Sequence, residues 1–488
     1  MKDDSIIILG GGTSGLVAAL ILRSRFPNKI IKIIKSGKIG IIGVGEGSTE
    51  HWKAFMDYCE IDIFELIKES DATVKYGVMF EDWTKEPYFH SVNDIFVNYR
   101  FSQYQAGFGQ LIYSGRKQIE SGEPIYKTSE MFEREVYLKN FRSYQFHFHT
   151  FKLNEYLLKK CKQRNIQVVE DEIKDVVCRD NKIIKLIGNQ THESDFFIDT
   201  SGFKRILISK LGAKWHDYSK YFLLNRAIAF PTKDTENYPL YTLAKALKYG
   251  WMWRIPVYGR WGNGYVFDST LINSEQAKEE VESILGYKVE IFKDISFQPG
   301  AIDRPWIGNC VAVGLSCGFV EPLEASAIGS SINQMFLLMH MLENYTEEDI
   351  NSYNKEMKLI LQNIRDFIFA HYLVKRRDTK FWEKVNELEM PETLENNLAK
   401  WQSRLPIKSD FTGSNYYMYN EHNWASILWG LNLFNKEKIN KEFLSYYPSL
   451  RNHAKETMDK WRKDYYVYPR LEHKKYLNVI RNSGGIYE

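Results

Sequence analysis

Gly10-Gly11-Gly12-Thr13-Ser14-Gly15 follows a short apolar run, Ile6–Leu9, and opens a helix-favouring stretch, Leu16–Arg25. The spacing is GxGxxG, set between a strand and a helix. Gly10 permits the tight turn and Gly12 lets the backbone approach a pyrophosphate. Gly15 lets helix and strand pack closely, so that the helix N-terminus faces the anion. A plain glycine turn is the alternative, and the strand–turn–helix setting favours a dinucleotide site made from Gly10, Gly12, Thr13, Ser14 and Gly15. Lys29–Lys35 reads as the next, β-branched strand, with Pro27-Asn28 as punctuation. The expected fold class is therefore α/β, with a Rossmann-like module at the start of the chain. The acidic ribose ligand expected about 20 residues on is missing, and Lys35 stands in its place. That departure fits either NADP-like phosphate recognition or FAD whose ribose is held by Ser36 or water.

The rest of the composition bounds the answer. The 488 residues are 44% hydrophobic and 26% charged, which excludes a wholly disordered chain. At roughly 100–200 residues per domain, two to four domains are expected. A net charge of +3 is too small to imply a nucleic-acid partner. The acidic opening Met1-Lys2-Asp3-Asp4 is unlike a secretory signal, and glycines interrupt the uncharged run Ser5–Leu22, so no membrane span is expected. Five scattered cysteines show no CxxC and no metal-ligand spacing, predicting reduced thiols, no metal and a cytoplasmic location. Aromatic residues reach 15%, compatible with a large core or an aromatic site.

Along the chain, a cofactor-binding and catalytic module is expected over 1–360, with inserted β-rich segments near 90–150 and 215–275. The chain is expected to turn helical beyond about Ala325, through the amphipathic stretches Ser330–Leu342 and Glu347–Leu373, and a mainly helical, substrate-side region is expected over 361–488. A second glycine cluster, Gly43-Val44-Gly45-Glu46-Gly47-Ser48, adds Gly45 and Glu46 to the candidate cofactor residues. Two close-approach loops within forty residues of each other suit a cofactor longer than a nucleotide, which favours FAD. Two further apolar runs end in small residues: Asp199-Thr200-Ser201-Gly202, and Cys310–Ser316 with Gly314 at its turn.

Gly250-Trp251-Met252-Trp253-Arg254-Ile255-Pro256 places two tryptophans on one face of an extended segment. A core strand with paired indoles would explain it alone. Beside the glycine loops, it resembles the WxWxIP signature of flavin-dependent halogenases of the tryptophan-halogenase family. Ile42–Glu46, Phe197–Phe203, Gly318-Phe319-Val320-Glu321-Pro322-Leu323-Glu324, and Ile364–Phe367 followed by His371-Tyr372 extend the resemblance.

The resemblance implies an enzyme that uses FAD as FADH2, supplied by a separate flavin reductase. In such enzymes a flavin hydroperoxide oxidises a halide ion (chloride, bromide or iodide), and the hypohalous acid passes to a lysine beside the substrate. That lysine falls at Lys75, and the matching carboxylate, which polarises the halogen donor or takes the ring proton, at Glu324. Trp251 and Trp253 are implied to wall flavin from substrate. The halide is implied at the amides of Ser326 and Ala327, where the family has Ser-Thr-Gly and this chain has Ala325-Ser326-Ala327. Replacing Gly by Ala is expected to restrict φ there, and the altered pocket motivates a preference for bromide or iodide. The implied substrate is an electron-rich, indole-like small molecule, met by C-terminal aromatics that include Tyr416, Tyr417, Tyr419, Trp424 and Trp429. An aromatic monooxygenase and a non-catalytic flavoprotein are the rival readings, and a homo-oligomer stays open.

Overall fold

Ser5–Leu9 is the middle of a six-stranded sheet, flanked by Phe196–Asp199 on one side and Ile30–Lys35 on the other. Cys310–Ala312 and Trp306–Ile307 extend the first side, and Gln167–Glu170 the second. All neighbours run parallel except the final pair, Trp306–Ile307 with Cys310–Ala312. The apolar runs read as strands because both faces of a parallel sheet are covered. The computed structural model describes residues 4–37, 40, 46–91, 135–137, 145–445, 447–449, 451–452, 456 and 470–483. Gly45 and most of the 90–150 segment lie outside the described residues.

The helix after the first strand runs Thr13–Arg25, beginning earlier than its apolar residues alone suggest. Gly12 is its extended N-cap, so Thr13 and Ser14 already belong to the first turn. The run at Cys310 likewise stops as a strand at Ala312 and continues as a 3-10 turn over Gly314–Ser316. From Ser5–Leu9 the chain builds outward on one side through Ile30–Lys35, then returns to place Phe196–Asp199 on the other. The carboxyl ends of Ser5–Leu9 and Phe196–Asp199 therefore bound the point where strand order reverses. In open α/β sheets ligands settle in that crevice.

A seven-stranded sheet follows the order Lys293–Ser296, Arg226–Thr232, Arg260–Phe267, Gly250–Val257, Tyr241–Ala246, Gly77–Glu81 and Tyr88–Ser91. It is antiparallel apart from the pair Tyr241–Ala246 and Gly77–Glu81. A three-stranded sheet of Glu46–Gly47, Phe146–Phe148 and Thr73–Val74 packs beside it. Beyond residue 325 the described chain is mostly helical. Ser326–Met341 is followed by Glu347–Ala370, whose start is fixed by a Thr346/Asp349 capping box. The later helices include Glu421–Gly430 and the terminal His473–Ser483. Among the described residues no helix is long and apolar enough to cross a membrane.

Candidate active site

Three small-residue turns meet at the switch point. Thr200 N and Oγ1 both donate to Leu9 O at 2.9 Å, and Val313 N donates to Asp199 O at 2.9 Å. Gly10 sits at φ +128°, and a Cβ there would fall 2.3 Å from Thr200 O. One on Gly15 would fall 2.1 Å from Gly10 O, so both positions exclude side chains for packing reasons. Gly12 is different, because a Cβ there would meet nothing within 4 Å. The helix behind it has no side-chain cap and no acidic residue in its first turn, leaving N–H groups for an anion. Ser14 Oγ lies 2.9 Å from Ser331 Oγ, and Gly314, at φ +66°, donates its N–H to Gln334 Oε1 at 2.9 Å. These residues fit a dinucleotide.

Glu46 reaches the same crevice, accepting from Thr13 Oγ1 at 3.4 Å. Burial raises its carboxyl to about 7, against the opposing pull of Thr13 and Lys293. Lys35 lays its stem against the loop, its Cβ 2.8 Å from where a Gly11 Cβ would be. One strand over, the exposed Glu170 comes next to Gly37. It supplies an acidic group near the position where the sequence itself offers Lys35. Only strand pairing brings it there, so spacing along the chain could not find it.

The second cluster has its charged groups buried. Lys75, at 0% exposed, donates from Nζ to Ser48 O at 3.0 Å. A Cβ on Gly47 would lie 3.2 Å from both Lys75 Nζ and Ala325 Cβ, so Gly47 keeps this approach open. Burial lowers the lysine to about 8, with Glu324 and then Glu50 pulling it back up. Glu324 is 2% exposed. Its Oε2 is 2.7 Å from His90 Nδ1, and its Oε1 is 3.2 Å from His371 Nε2. Burial alone would raise Glu324, but the His90 charge and contacts from both imidazoles hold it down at about 2. Tyr88 Oη lies 2.9 Å from His371 Nδ1, and Asn423 Nδ2 3.1 Å from His90 Nε2, fixing both rings. The two histidines were not candidates in the sequence. They lie 234 and 47 residues from Glu324, and no spacing rule links them.

Glu324 and Ala325 both take left-handed backbone, φ 66° and 53°, just before the helix Ser326–Met341. Ser326 and Ala327 thus supply the first amides of a helix that has no side-chain cap and no acidic residue in its first turn. Ala327 is right-handed helix, where alanine is favoured, so the expected restriction at that position does not arise. The unusual conformation falls on Glu324 and Ala325 instead. The buried Tyr419 hydroxyl faces Ser326 without a full hydrogen bond.

Trp251 and Trp253 share a face of Gly250–Val257, ring centroids 6.1 Å apart and tilted. Gly264 on the neighbouring strand makes room for the second indole, since a Cβ there would strike it at 2.1 Å. Trp251 is buried, Trp253 half-buried. Glu321, raised by burial to about 8, accepts from the Tyr372 hydroxyl at 2.8 and 2.9 Å and borders Trp251. Among the C-terminal aromatics, Tyr419 stacks on Phe367 at 3.8 Å and Trp424 meets the same ring edge-on. Phe367 in turn lies 5.2 Å from His90. Asp199 was quoted only as a strand end. It pins the crevice by accepting from Ser201, Leu207, Ile208 and Ser316.

Crevice, glycine loops and paired indoles together define an α/β dinucleotide-cofactor protein with a second, charged site in its interior. The chain belongs to the tryptophan halogenase family, whose model matches residues 5–442, and it is an enzyme of the flavin-dependent halogenase kind. It is 27% identical over 451 residues to the tryptophan 6-halogenase SttH of Streptomyces toxytricini, covering 83% of this chain and 85% of that one. The tryptophan 7-halogenase RebH of Lentzea aerocolonigenes is 27% identical over 482 residues, covering 88% and 90%. Two solved structures share the fold. BrvH, a flavin-dependent halogenase from Brevundimonas sp. BAL3, superposes with TM-score 0.82 at 24% identity over 98% and 99% of the chains. A tryptophan halogenase from Shewanella frigidimarina gives 0.85 at 22% over 99% and 98%.

Proposed function

We propose that this enzyme halogenates an electron-rich, indole-like small molecule, with Lys75 holding the electrophilic halogen beside the ring and Glu324 accepting the ring proton. The observation that carries the reading is the approach of the buried Lys75 amine to the half-buried Gly47 and Ala325, the residue after the buried Glu324. A lysine lowered to about 8 is about one-tenth neutral at pH 7, far more than an ordinary lysine, and that form can accept halogen on nitrogen. Glu324, held ionised, is a weak base, sufficient for the strongly acidic proton of an arenium ring.

Gly10, Gly12, Thr13, Ser14, Gly15, Glu46 and Gly314 would hold FAD, with Gly45 as a further ligand from the sequence pattern. When bound and reduced by a separate flavin reductase, FAD supplies the electrons with which O2 converts halide to an electrophilic halogen. The Ser326 and Ala327 amides would hold the halide, as helix N-termini favour anions. Trp251 and Trp253 would keep flavin from the arene. In this reading 1–360 carries the flavin side and 361–488 the substrate side, joined through the helix Glu347–Ala370.

Purified protein, supplied with a flavin reductase, NADH, bromide and a panel of indoles, should give brominated products by mass spectrometry. Hydroxylated products would instead establish a monooxygenase, and an empty panel would favour a flavoprotein without this chemistry.

A further inference from the structure

We propose that His473, on the terminal helix His473–Ser483, is a positioning residue for Lys75 and sets how efficiently the lysine captures halogen. The inference rests on the reading of Lys75 given above and adds a residue beyond those matched by the family model, which ends at 442.

Val74, Lys75 and Tyr76 are each tethered through the backbone N–H. Lys75 N donates to Gln145 O at 2.9 Å and Tyr76 N to Leu240 O. Val74 N instead points out of the three-stranded sheet and donates to His473 Nε2 at 2.9 Å, across 399 residues of sequence. Of these three tethers, it alone ends on a side chain. Val74 and His473 are both 0% exposed, so no water can replace the imidazole, and an unpaired N–H would be left in the core.

The bond also fixes the ring's state. An N–H can donate only to an unprotonated nitrogen, so Nε2 is bare and the proton sits on Nδ1, which makes no full hydrogen bond although the Tyr238 and Pro239 backbone lies beside the ring. Burial, which lowers His473 to about 3, supports the neutral form. The same helix grips the segment's start, where Arg481 Nη1 lies 2.9 Å from Asp71 Oδ1. Asn478 Oδ1 accepts from Tyr258 at 2.7 Å, and Tyr258 N donates to Asp71 O at 3.0 Å. The terminal helix therefore holds both ends of the Asp71–Lys75 stretch. A small displacement of Lys75 would let the electrophilic halogen escape before reaching the ring.

His473→Leu removes the acceptor at similar volume, and His473→Gln restores an acceptor near the Nε2 position. Both are compared with the parent and with Lys75→Ala for kcat, KM for the arene, hypohalous acid escaping to a chromogenic trap, and hydrogen exchange at the Val74 amide. His473→Leu should lower kcat by about tenfold or more, leave KM within about twofold, raise the escaped fraction and expose the Val74 amide. His473→Gln should recover most of each change. Parent-like kcat, escape and exchange in His473→Leu would overturn the clamp, as would equal losses in both variants. If Lys75→Ala turns over like the parent, the reading of Lys75 fails. If Lys75→Ala is inactive and His473→Leu is parent-like, the clamp alone fails.

Discussion

The crevice at Gly10, Thr200 and Gly314 is built from backbone, whereas the cluster of Lys75 and Glu324 is built from charged side chains. The first works by leaving atoms out. Gly12 is open, Gly10 and Gly15 cannot take a Cβ, and helix N–H groups supply the field. The second works by keeping water out. Burial makes Lys75 easier to deprotonate, lowering it to about 8, while Glu324 keeps its charge only because two imidazoles face it. A backbone site tolerates little substitution at its contact glycines yet makes small demands on stability. A buried charged site invites chemistry and strains the fold that contains it.

Five variants probe that contrast. The largest effect is expected for Glu324→Gln, which keeps the shape and removes the proton acceptor. Steady-state halogenation should show kcat falling by about 10²–10⁴ with flavin binding unchanged. Next is the titration of Lys75. Its folded pKa, about 8, lies below the ordinary 10.5. Between those values the unfolded chain binds more protons, so stability rises with pH through that window. At ~1.36 kcal/mol per pH unit the full effect is about 3 kcal/mol. Denaturant unfolding of the parent and Lys75→Met at pH 7 and pH 10.5 should show the parent gaining on the variant by roughly that much.

The glycine loop gives a smaller, separable pair. Gly15→Ala, driven into Gly10 O, should cost about 1–3 kcal/mol of stability by denaturant unfolding. Gly12→Ala should unfold like the parent and bind FAD about tenfold more weakly in a fluorescence titration, since it obstructs only the ligand's approach. The smallest change is expected for Trp251→Phe with Trp253→Phe. FAD affinity should stay within about twofold if the indoles separate flavin from arene rather than bind flavin, and loss of folding would mark them as core.

The same contrast explains what could be read in advance. The crevice was legible because Gly10–Gly15, Asp199–Gly202 and Gly314 are local signals, each a strand end followed by small residues. Their meeting follows from parallel-sheet topology. Glu170 escaped because it reaches the loop across a strand pair. Lys75 and Glu324 were legible only through resemblance, as a lysine among 65 Lys and Arg residues carries no mark of burial. His90 and His473 left no local signal at all, since their partners are remote in sequence, and His371 entered only as part of a family motif with no role attached. The left-handed turn at Glu324 and Ala325 was likewise invisible, because non-glycine residues rarely adopt it.

The central claim is that Lys75 receives the halogen, and the direct measurement is the product balance of Lys75→Ala under turnover with bromide, a flavin reductase and indole. The account predicts continued consumption of reduced flavin and oxygen, hypohalous acid or peroxide released to solution, and haloindole down by on the order of 10³-fold. Haloindole formed at the parent's rate would contradict it.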